Sequence, residues 1–94
     1  MEARFYKVVR QSETFSVPSA KSETGQILKC NILLQELGGS KFENTFVCSM
    51  LGSLAGCRFH EGDVVIATLR FSVHESNGSY FQDILITDLV PVKI

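Results

Sequence analysis

Apolar and polar positions alternate along two long stretches between Gly62 and Val92, and the stretches meet at Asn77-Gly78. Asn-Gly between alternating runs predicts a two-residue type I′ hairpin, because both central residues of that turn need φ > 0. Such a turn fixes the pairing, counted outward from Ser76 opposite Ser79. On one face Phe71 then meets Ile84, Leu69 meets Ile86 and Val65 meets Val90. On the other, Arg70 meets Leu85, Ser72 meets Asp83, Thr68 meets Thr87 and His74 meets Phe81. The first face is apolar and the second mixed, so a one-residue slip would scramble both. The count predicts the closing hairpin of a small β-barrel or sandwich, with Phe71 and Ile84 paired inward.

The remaining chain reads as three further strands. Arg4 to Phe15 carries Phe5 and Val9 on one phase and Tyr6 and Val8 on the other. Apolar residues on both sides suit a strand that bends around a barrel and changes partners. One of Phe5 and Tyr6 is then core and the other open. Ser16 to Thr24, with Pro18 and several Ser and Thr, reads as an exposed loop. Gly25 to Leu37 alternates Leu28, Cys30, Ile32 and Leu34 against Lys29, Asn31 and Gln35, a half-buried strand. Gly38-Gly39-Ser40 interrupts the pattern. Glu43 to Leu51 resumes it with Phe46, Cys48 and Met50 inward and Thr45, Val47 and Ser49 outward. Gly52 to Glu61 is too short and glycine-rich for an independent helix. A single capping turn fits better, with Leu54 and Phe59 closing the open end of a barrel.

Composition narrows the class without naming a partner. The 94 residues make one domain, 1–94, large enough for a core without metal or disulfide staples. A net charge of −1 gives no basic footprint of the kind nucleic-acid binders favour. Three cysteines, Cys30, Cys48 and Cys57, form no C-x-x-C pair, so neither a disulfide framework nor a zinc knuckle is expected. Cys30 and Cys48 fall on apolar phases and read as reduced core thiols. The N-terminus lacks the apolar stretch of a signal peptide, and no run approaches the ~20 residues of a membrane span. A cytoplasmic location is the expectation.

Five strands with a short capping element between the third and fourth is the order of an OB-fold, a partly open Greek-key barrel. The segment Phe46-Val47-Cys48-Ser49-Met50-Leu51-Gly52-Ser53-Leu54-Ala55, followed by Phe59-His60-Glu61-Gly62-Asp63-Val64-Val65-Ile66, resembles the bacterial single-stranded-DNA-binding protein family. It is similar to that family's third strand, Gly-x-Leu-Ala turn and Gly-led fourth strand. The chain is also similar to a family of small bacterial OB-type proteins known as a domain of unknown function. There, Asn77-Gly78-Ser79-Tyr80-Phe81-Gln82-Asp83 corresponds to an Asn-Gly, aromatic-aromatic, polar, Asp signature. The resemblance implies an all-β, five-stranded OB barrel that binds single strands. The chain has no Trp, the outward phase of its third strand carries no aromatic, and no acidic tail follows Ile94. The expectation is a minimal module.

Sequence-tolerant binding of single strands needs aromatic faces for bases and cations for phosphates in one groove. An OB-fold places that groove across strands two and three, between flanking loops. The candidates are Lys29 and Asn31 on strand two, Lys41 and Phe42 in the loop after it, and Lys21 in the first loop. Arg70, His74, Tyr80 and Phe81 on the last hairpin complete the set. Lys and Arg would neutralise phosphates, while Phe42, Tyr80 and Phe81 would stack. The competing reading makes the lysines solvated charges and His74–Phe81 ordinary cross-strand packing. Arg70 and Asp83 are diagonal neighbours, and a weak surface ion pair between them is the default.

Enzyme signatures are missing: there is no G-x-S-x-G elbow, and Gly38-Gly39-Ser40-Lys41 lacks the spacing of a phosphate loop. His60 and His74 lie on separate elements without a third ligand, so neither a metal nor a cofactor is expected. The leading expectation is a single-stranded DNA or RNA binding module, weakly sequence-specific. A homodimer or larger homo-oligomer would lengthen its groove. The alternative is a protein-interaction or assembly module of the same fold with no nucleic-acid role.

Overall fold

Asn77 and Gly78 both take positive φ, 52° and 80°, and turn two thirteen-residue strands back on each other. In the computed structural model, which describes residues 3–21, 23–37 and 44–92, these are β5 (Val64–Ser76) and β6 (Ser79–Pro91). Before them come β1 (Arg4–Gln11), β2 (Phe15–Pro18), β3 (Gln26–Glu36) and β4 (Thr45–Leu51), then a 3-10 turn over Gly52–Gly56. Among the described residues there is no α-helix, and no helix is long and apolar enough to cross a membrane.

One sheet runs β1-β5-β6-β4-β3-β2, and β1 also pairs with β3, so five strands form a partial ring. All neighbours are antiparallel except β4 and β6, which touch in parallel at Ser49 and Leu85. As expected from its two apolar phases, β1 changes partners: Arg4–Lys7 pair with β5 and Tyr6–Gln11 with β3. A register shift between Val8 and Arg10 reverses its phase. Tyr6 and Val8 are buried, Phe5 is exposed, and beyond the shift Arg10 is exposed while pairing with Leu33.

Three expectations need correction. The first strand ends at Gln11, and the presumed loop from Ser16 contains β2, which pairs Phe15–Pro18 with Gln26–Lys29. A Pro-ended edge strand needs no ladder on its far side, so Pro18 is tolerated there. The counted hairpin register holds from Ser76–Ser79 to Leu69–Ile86, then shifts by one. Thr68 pairs with Asp88 and Ile66 with Val90, leaving Thr87 as the extra residue of a bulge; its hydroxyl donates to the Thr68 carbonyl at 3.3 Å. Leu28 and Phe71 lie on core phases but are 46% and 38% exposed, because both sit beyond the ends of the ring.

The core holds Tyr6, Val8, Cys30, Ile32, Leu34, Cys48, Met50, Val65, Ala67, Leu69, Ile86 and Leu89, capped by Ala55 of the 3-10 turn. Leu54 and Phe59 pack against it from that end, as the sequence leads one to expect. Gln11 ties the cap in place: its amide donates to the Cys57 carbonyl at 2.7 Å, and its carbonyl accepts the Phe59 N–H at 2.9 Å. Arg58 adds a bond to the Ser12 carbonyl at 2.9 Å.

Cys30 and Cys48 are fully buried free thiols and Cys57 is exposed. Burial pushes the Cys48 thiol up to about 12, so thiolate is scarce at neutral pH and labelling is slow. One fast-reacting thiol, lost in Cys57→Ser, is expected with a maleimide under native conditions; rapid labelling of all three would contradict this packing. The raised value also sets a sign. An unfolded thiol ionises near 9.0 and the folded one near 12, so stability is complete below pH 9 and falls between those values. The Tyr6 phenol, raised by burial and then by Glu36, acts in the same direction.

Candidate nucleic-acid interface

Past the ring, β5 and β6 continue as a two-stranded ribbon in which every residue from Arg70 to Asp83 is exposed. The radius of gyration, 14.2 Å, exceeds the ~13 Å of an ordinary 100-residue domain because of such extension. Register alone decides what each face of the ribbon presents. His74 lies opposite Phe81, and their rings stack at 5.4 Å with an interplanar angle of 25°. Asp83 accepts from His74 Nδ1 at 3.0 Å and so holds the imidazole flat against Phe81. This corrects the expected Arg70–Asp83 pair. Both Arg70 and His74 are diagonal to Asp83, and the shorter, stacked His74 takes it; among the described residues Arg70 has no ion-pair partner. Tyr80, 73% exposed, stands beside the stack, opposite Glu75 and so on the other face of the ribbon.

The ribbon's His74–Phe81 face runs into the outer face of the ring. There one cross-strand row reads Asn31, Ser49, Leu85, Arg70, across β3, β4, β6 and β5. A groove of about 230 Å³ follows it. Lys29 and Arg70 rise from opposite walls over a floor of Ser49, Leu51 and Leu85, with Ser72 and Asp83 toward the ribbon. Three strand spacings separate the walls, ~14 Å. Beyond Asn31 lies a second hollow of about 210 Å³, lined by Arg10, Ser12, Leu33 and Val47.

Of the predicted residues, Lys29, Asn31, Arg70, His74 and Phe81 thus share one continuous outer face. Tyr80, on the other face of the ribbon, does not join them. Lys21 is exposed in the turn between β2 and β3 and lies outside both hollows, and Lys41 and Phe42 lie outside the described residues. Arg10 was missed because plain alternation puts it with Tyr6 and Val8; only the shift at Val9 turns it outward. Val47 and Ser49 were legible as outward positions but offered no aromatic ring.

Chemically the face offers two or three cations, one stacked ring pair and an aliphatic floor. Among the described residues no cluster of His, Cys, Asp or Glu could hold a metal ion. The chain matches no known family model, and no curated protein is similar to it.

Proposed function

We propose that the chain is an OB-type Greek-key barrel that binds single-stranded nucleic acid across β3, β4 and the β5–β6 ribbon. The observation that carries this reading is the continuity of one outer face bearing Lys29, Arg70 and the His74–Phe81 stack. The ring connectivity, with its parallel contact between β4 and β6, supports the fold assignment. Phosphates would lie along Lys29 and Arg70, and bases would stack at the ribbon; neither contact reads base edges, so sequence preference would be weak. The open face and the mutual engagement of His74 and Asp83 favour a binding role over catalysis. The free thiols accord with a reducing compartment such as the cytoplasm.

Fluorescence anisotropy with a labelled oligo-dT tests this. Binding is expected at low salt, falling by about 0.7 log units per phosphate contact for each decade of salt. Lys29→Ala and Arg70→Ala should each reduce that slope by about one contact. Folded protein with no binding at low salt would hand the face to a second reading, a protein-interaction module, which the exposed Val47 on β4 favours.

A further inference from the structure

We propose that two copies of this chain associate through the outer face of β1, β5 and β6, on the side of the Thr87 bulge away from the groove. Outer positions of a strand are ordinarily polar. Here a cross-strand row reads Phe5, Ile66, Val90, with Phe5 54% and Val90 52% exposed. The next row along reads Lys7, Val64, Val92: Lys7 pairs with Val64, and the Val92 N–H donates to the Val64 carbonyl at 2.9 Å. On the other side Thr68 pairs with Asp88. The result is an aliphatic and aromatic patch with one cation and one anion at diagonally opposite corners.

That diagonal placement identifies the occupant. In a two-fold interface the same patch serves both copies, so it must complement itself. A two-fold axis lying in the patch along the other diagonal reflects Lys7 onto Asp88. Each copy's Lys7 then faces Asp88 of the second copy, Val64 faces Val90, Phe5 faces Thr68, and Ile66 meets its own counterpart. Among the described residues neither Lys7 nor Asp88 has an ion-pair partner within its own chain. A partner of uniform charge would satisfy one corner and be repelled at the other. The patch shares no residue with the groove, which stays open in such a pair.

Strand and residue spacings give the patch about 350 Å² per copy, below the ~800 Å² per partner of a standard interface. A weak pair, formed and broken over accessible concentrations, is therefore expected. Sedimentation equilibrium on the full chain, from low micromolar to several hundred micromolar, should show the mass rising toward twice that of one chain. Ile66→Lys should remain monomeric throughout while keeping the wild-type circular dichroism and melting temperature. Lys7→Asp or Asp88→Lys alone brings like charges together and should weaken the dimer by about tenfold or more. The double exchange Lys7→Asp with Asp88→Lys should restore it. A monomer at all concentrations would overturn the proposal, as would a dimer indifferent to these changes or one lost in Val73→Lys on the ribbon.

Discussion

Phe81→Ala is expected to weaken binding of an oligo-dT by about 1–3 kcal/mol while leaving the salt slope nearly unchanged, and Tyr80→Ala, on the other face of the ribbon, to leave both where they were. The two substitutions differ in what they remove from the free protein. Tyr80 is 73% exposed and has no ring contact among the described residues, so its loss should leave the melting temperature where it was. Phe81 stacks on His74, and its removal also forfeits a cross-strand pair of a few tenths to 1 kcal/mol. An affinity loss in Phe81→Ala, with a small stability loss there and neither change in Tyr80→Ala, marks the His74–Phe81 face of the ribbon as a stacking platform. Loss of stability in Phe81→Ala with unchanged affinity in both would reduce His74–Phe81 to packing. Lys29→Ala in the same assay should do the converse, changing slope more than intercept.

The hairpin that carries this platform was legible because its register depends on two residues, Asn77 and Gly78, whose backbone freedom is local. What failed was local too, but of a kind that alternation hides. The apolar spacing Ile84, Ile86, Leu89 changes from two to three, and that change is the trace of the Thr87 bulge. Strict counting ran through it and mispaired everything from Thr68 outward. The shift at Val9 left a fainter trace, since Val8 and Val9 are both apolar and either could face the core. Arg10 therefore reached the candidate site only through the three-dimensional register.

Exposure was the other gap. Phase says which side a residue faces, and nothing about whether another layer covers that side. Phe71 follows Val65, Ala67 and Leu69 in phase, but the ring ends before it, and Phe46 meets its ring edge-on at 5.9 Å. For Asp83 the sequence left two diagonal partners of opposite functional consequence. Pairing with Arg70 would have neutralised a phosphate contact; pairing with His74 leaves that cation free and fixes a stacking surface.

Leu34→Ala is expected to destabilise the fold by about 2–5 kcal/mol, and Leu28→Ala by no more than about 0.5. The two leucines share strand β3, residue type and phase. Leu34 is fully buried, with Val8 beside it on β1 and Phe46 beside it on β4. Deleting its side chain leaves a cavity that two paired strands cannot collapse into, so packing is lost along with transfer energy. Leu28 pairs with Ser16 on the edge strand β2 and is 46% exposed, so water replaces what is removed. Against the 5–15 kcal/mol available to small domains, the first change consumes a large share of the total, and the second very little. Urea titrations of both variants, read at equal m-values, measure the contrast directly. Equal costs at the two sites would mean that β2 and the start of β3 are covered by a layer this ring does not contain.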